Sequence, residues 1–169
     1  MSLPTPSFLR AVAVSSPEPL VVSIVSSGVG EDDELLDLVL TKVDGSKVYE
    51  AHLASATAAG RSADDWAKLW REAGPLMQGR WLIAYCAERT RRLIEQTGAR
   101  RGGRPVWIPA RWVCIEDVLA PHFGTGTEAA AEALRHYKVE GPSPNADATE
   151  CAQVAGTMFR RVATLGLPE

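Results

Sequence analysis

Long apolar runs, paired cysteines and a dominant sign of charge are all missing from this chain of 169 residues. Its hydrophobic stretches fall well short of the ~20 residues a membrane-crossing helix needs, so no membrane partner is expected. The opening MSLPTPSFLR has no apolar core of the kind a secretory signal carries. The three cysteines, Cys86, Cys114 and Cys151, are odd in number, widely spaced and form no CxxC pair. That excludes a disulfide scaffold and a structural zinc site, and it points to a reducing, cytoplasmic setting. Eighteen Lys+Arg against 21 Asp+Glu give a net charge of −3, which excludes a uniformly basic nucleic-acid coat but not a local basic patch. Also missing are a phosphate-binding P-loop, a dinucleotide fingerprint, an HExxH motif and a nucleophile elbow. Gly28-Val29-Gly30 follows a strand but lacks the remaining glycine spacing, and reads as a turn. With 46% hydrophobic and 23% charged residues, the chain has the composition of one globular domain.

What is present alternates between strand and helix signals. Residues 1–18, with Pro4, Pro6 and Pro17, read as an irregular lead-in in which Phe8 to Val14 could add a turn or edge strand. The single domain is expected over 19–169. Leu20 to Gly28 (LVVSIVSSG) is β-branched and almost wholly apolar, the pattern of a strand buried on both faces. Leu35–Val43 and Ser46–Leu53, joined by the Asp44-Gly45 turn, predict a hairpin that completes a three-strand meander. Ser62 and Asp65 form a capping-box pattern for a helix that should stop at Gly74-Pro75. Gly79–Cys86 predicts a further buried strand, and Ala87–Gly98 a helix ending at its glycine. Arg111–Asp117 predicts a short strand, with a short helical piece to Phe123. Thr125 and Glu128 open a helix to about Tyr137. A last helix runs from about Ala146 to Leu165, with Cys151, Val154, Ala155, Met158 and Val162 on one apolar stripe. Such an order implies an α/β fold: a mixed sheet with an antiparallel start, covered by helices.

Three segments then resemble the proofreading-type 3′–5′ exonucleases, the family of the DNA polymerase III epsilon subunit, over roughly residues 20 to 165. In SIVSSG, Ser23 and Val25 stand where that family has an aspartate and a glutamate, and Ser26-Ser27-Gly28 replaces its Thr-Thr-Gly. In LIAYCAERTRRLI, Thr90 stands at the position of a catalytic aspartate and Arg89 at that of a phenylalanine. In SPNADATECAQVAGTMFRRV, Pro144 takes the place of the histidine and Thr149 that of the last aspartate. The resemblance implies a ribonuclease H-like fold and, in active relatives, two divalent ions that clamp the phosphoryl oxygens. Mg²⁺ or Mn²⁺ needs carboxylate oxygens. Ser23, Thr90 and Thr149 offer neutral hydroxyls, and Val25 offers nothing. The expectation is therefore a degenerate, non-catalytic member without a metal cofactor. The alternative is an active exonuclease whose ligands are displaced to Glu88, Glu116, Asp117 or Asp147. His52, His122 and His136 all lie outside the histidine motif.

Residues 80–111 hold eight arginines opposed only by Glu88 and Glu95. Arg89, Arg92, Arg100, Arg101 and Arg104, with Trp107, form a candidate surface for single-stranded nucleic acid. The acidic stretch from Glu31 to Asp37 works against that reading. Trp66 and Trp70, one helical turn apart, should dock their helix on the sheet. Cys86 and Cys114 read as small buried hydrophobes at neighbouring strand ends. The function expected from the sequence is a binding or scaffolding module for a protein partner or a second copy of itself, with non-cleaving nucleic-acid binding as a further alternative.

Overall fold

A computed structural model describes residues 5–28, 30, 33–53, 63–101 and 111–168. Strands β1 (Leu20–Ser26), β2 (Leu35–Lys42), β3 (Lys47–His52), β4 (Leu82–Ala84) and β5 (Trp112–Cys114) form one sheet in the order β3-β2-β1-β4-β5. β1 pairs antiparallel with β2, and β2 with β3, as the meander requires. β4 and β5 join in parallel register on the other side of β1. The six helices among the described residues are α1 (Pro6–Ala13), α2 (Ala63–Met77), α3 (Ala87–Arg101), α4 (Ile115–Phe123), α5 (Thr127–His136) and α6 (Ala148–Leu165). No helix among them is long and apolar enough to cross a membrane.

Strand periodicity sorts the core into two layers. Val21, Val39, Ile83 and Val113 point to the face covered by α1, α4, α5 and α6. Leu20, Val22, Leu38, Leu40 and Leu82 point to the opposite face, where α2 and α3 lie. Because β1 is apolar at both parities, it serves both layers and occupies the centre of the sheet. Gly156 lets α6 lie close on the β2–β3 hairpin: a Cβ there would stand 3.0 Å from the Val43 carbonyl oxygen.

Four expectations are corrected. The lead-in expected as irregular over residues 1–18 holds a helix, α1, from Pro6 to Ala13. Thr5 caps α1 by accepting from the Phe8 amide at 3.2 Å, and Pro6 sits in the first turn, where its missing N–H costs nothing. The helix then buries Leu9 and Val12 beside Met158, Phe159 and Val162 of α6. Secondly, α2 does not stop at Gly74-Pro75 but runs to Met77. Trp66, Leu69, Ala73 and Met77 form one buried stripe, and that burial outweighs the ~3 kcal/mol cost of an internal proline. Thirdly, α3 passes through Gly98 to Arg101, because Thr97, Gly98 and Arg101 are all buried. Finally, the strand expected to Asp117 ends at Cys114, and Ile115 already begins α4. Ser62 of the capping-box pattern and residues 54–61 and 102–110 lie outside the described residues.

Candidate functional site

β1 outlasts its parallel neighbour. Only Leu20 and Val21 pair with β4, at Leu82 and Ile83. After Ala84 the chain turns through Tyr85 and Cys86 into α3. The second half of β1 therefore has β2 on one side and a helix start on the other. Ligand crevices in open α/β sheets form at such carboxyl ends of strands. Here the crevice is a cleft of about 350 Å³ whose lining includes Ser23, Val25, Ser26, Tyr85, Cys86, Arg89 and Thr90.

Three of the positions singled out in the sequence, Ser23, Val25 and Thr90, line this one cleft. Their chemistry is not that of a metal site. Val25 packs against the α6-side core. The Thr90 hydroxyl is almost fully buried and donates to the Cys86 carbonyl at 2.9 Å, inside its own helix. Ser26 Oγ donates to the Gly28 carbonyl at 2.6 Å and accepts a long bond from Arg89 Nη2 at 3.5 Å. Arg89 thereby reaches from α3 across to β1, and among the described residues no carboxylate pairs with it. Ser26, Tyr85 and Cys86 went unremarked as cleft residues in the sequence. Their only signal was position, at the ends of two central strands.

The remaining motif positions do not line the cleft. Pro144 is exposed in the loop before α6, and Thr149 sits half-buried in the first turn of that helix. The displaced ligands do not assemble either. Asp147 is not inside the helix but is its N-cap, accepting from the Glu150 amide at 2.8 Å. Glu150 in turn accepts from the Ser143 amide and hydroxyl, at 2.5 and 3.0 Å. Both carboxylates are engaged in starting α6. Glu88 is exposed in the first turn of α3. Glu116 and Asp117 open α4: the Glu116 amide donates to the Tyr85 carbonyl at 2.9 Å, and its carboxylate faces the Cys86 thiol. Asp117 faces the Cys114 thiol. Among the described residues, no three His, Cys, Asp or Glu side chains gather to hold a metal ion. Two hard dications do not fit a cleft of hydroxyls, a valine and a guanidinium.

The histidines stay outside the cleft. His52 pairs with Asp37 at 2.6 Å on the β3 edge, His122 is exposed on α4, and His136 packs edge-on against Phe123 and Tyr137. The candidate nucleic-acid residues differ in their settings. Arg89 lines the cleft, and Arg92 and Arg100 are exposed on α3. Arg101 is not at the surface at all: its side chain is fully buried, in a 2.8 Å ion pair with Glu34. Arg104 and Trp107 lie outside the described residues. The loop before β2 leans on α3, where Gln96 donates to the Asp33 carbonyl at 2.6 Å. This sets the backbone of Gly30 and Asp33 against the middle of α3.

The chain is similar in structure to "Exonuclease X in complex with 5′ overhanging duplex DNA": TM-score 0.52 and 13% identity, over 89% of this chain and 94% of that one. It is also similar to a chain from the structure of the yeast NOT1 MIF4G domain co-crystallized with CAF1: TM-score 0.53 and 8% identity, over 95% of this chain and 84% of that one. No family model matches the chain, and no curated protein matches it. The fold is an exonuclease-like α/β fold of the ribonuclease H-like class.

Proposed function

We propose that this chain is a pseudoenzyme: a degenerate member of the proofreading-type exonucleases that serves as a non-catalytic binding or scaffolding module in the cytoplasm. One observation carries the reading. The cleft where the alignment places metal-binding carboxylates is lined by Ser23, Val25 and Thr90, with the cationic Arg89 beside them. A guanidinium already supplies positive charge there and repels the dications that phosphodiester hydrolysis by this route needs. The partner is a protein or a second copy of this chain. One similar structure was solved with DNA and another within a protein complex, so both kinds of ligand occur among chains of this shape. The buried Arg101 and the acidic loop against α3 favour protein over nucleic acid here.

The test is a nuclease assay on single-stranded DNA and RNA with Mg²⁺ or Mn²⁺, run beside size-exclusion chromatography with light scattering. No release of nucleotides is expected, and no rise in melting temperature with either ion. Metal-dependent cleavage that Glu116→Gln or Asp117→Asn abolishes would restore the active reading. The second reading, non-cleaving binding of single strands, rests on Arg89 at the cleft, which has no carboxylate partner among the described residues. It requires a salt-dependent gel shift that Arg89→Ala weakens.

A further inference from the structure

Cys86 and Cys114 are far apart in sequence and meet at one helix end. β4 and β5 run in parallel with Ala84 opposite Cys114, and each strand passes almost directly into a helix. Cys114 Sγ accepts from the Ala87 amide at 3.4 Å and donates to the Tyr85 carbonyl at 3.5 Å. It therefore contacts the backbone on both sides of Cys86, which by peptide dimensions sets it within about 6 Å of the Cys86 α-carbon. The Cys86 sulfur faces the Arg89 amide in the same first turn of α3. First-turn amides point the same way, so both sulfurs belong to the first turn of α3, Cys114 Sγ on the Ala87 amide and the Cys86 sulfur toward that of Arg89. A disulfide needs β-carbons about 3.8 Å apart; the backbone at the ends of β4 and β5 sets that separation, and side-chain rotation swings only the sulfurs. Both thiols are free, and Cys86 opens to the cleft.

We propose that Cys86 and Cys114 form an oxidant-responsive dithiol at the wall of the cleft. A peroxide oxidises the Cys86 thiol to a sulfenic acid and leaves as water. The Cys114 thiol then attacks that sulfur, its proton and the displaced hydroxyl leave as a second water, and a Cys86–Cys114 disulfide remains. The peroxide takes the two electrons that the thiols lose. The disulfide ties the start of α3 to the start of α4, so the helix side of the cleft loses freedom relative to β5. Burial, with the carboxylates of Glu116 and Asp117 from α4, holds both thiols above their ordinary pKa, while the α3 and α4 amides oppose this. Tyr85 is the other titratable neighbour. Oxidation is accordingly slow at pH 7 and faster at pH 9.

The reduced full chain is treated with hydrogen peroxide at both pH values, alkylated with iodoacetamide and digested. The expected result is one disulfide-linked pair of peptides carrying Cys86 and Cys114, with Cys151 alkylated, a fall from three reactive thiols to one, and reversal by dithiothreitol. The oxidised chain melts several degrees higher than the reduced one. Cys86→Ser and Cys114→Ser each abolish the linked pair without recruiting Cys151. Sulfinic acid at Cys86 with Cys114 still alkylated, a pair that includes Cys151, or three alkylated thiols at both pH values would overturn the proposal.

Discussion

Arg89 decides the character of the cleft more than any residue around it. The alignment places a phenylalanine there, and the chain instead sets a guanidinium over Ser26. Thr90 beside it has its hydroxyl turned into the helix, so a Thr90→Asp change would bury a carboxylate rather than extend one into the cleft. Thr90→Asp is expected to destabilise the fold by about 2 kcal/mol and to create no metal affinity, read by thermal melts with and without Mn²⁺. At the far edge of the sheet, His52 has its pKa raised by the hydrogen bond to Asp37 and by that carboxylate's charge. The folded state then holds the proton more tightly than the unfolded chain. This small stabilisation is complete below the ordinary histidine value near 6.5 and is lost as pH rises through the higher folded value. Histidine resonances followed by NMR should show His52 titrating above the ordinary value, and Asp37→Asn should bring it down.

Among the elements, α6 shows how much stability rests on its start and on one close contact. Asp147→Ala removes the cap on the Glu150 amide and is expected to cost about 1 kcal/mol in urea unfolding. Gly156→Ala sets two effects against each other. Alanine favours a helix by about 1 kcal/mol, but its Cβ would meet a backbone oxygen of Val43 that cannot rotate away. Overpacking of this kind costs about 1–3 kcal/mol, so net destabilisation is the expected sign. α3 is held at its other end by Arg101. That ion pair with Glu34 and the bond from the Leu35 amide to Thr97 Oγ1 at 2.8 Å fix the start of β2. Glu34→Ala removes the carboxylate at 2.8 Å from this buried guanidinium and is expected to cost about 3 kcal/mol. A paired replacement of Glu34 and Arg101 by apolar residues should cost less than either single change.

At the scale of the molecule, the sheet and its cover were legible because β1 is apolar at both parities and the helices carry clean stripes. The antiparallel start of the sheet was legible in the Asp44-Gly45 turn, whereas its strand order was not, because parallel pairing leaves no local signal. The elements misread were those in which distant packing overrode a local stop signal. Pro75 and Gly98 look like helix ends until the buried stripes of α2 and α3 are seen to continue through them. Arg101 looked like a surface cation because nothing near it in sequence announces Glu34. Asp147 looked like a displaced ligand because a cap and a ligand are the same side chain until its hydrogen bond is known.

α1 has a practical consequence. Trimming the chain to begin at Leu20, as its proline-rich start invites, would strip the cover from Met158, Phe159 and Val162. The shortened protein would present bare hydrocarbon along α6 and precipitate or stick to itself, mimicking genuine oligomerisation. Self-association should therefore be measured only on chains that retain Thr5 to Val14.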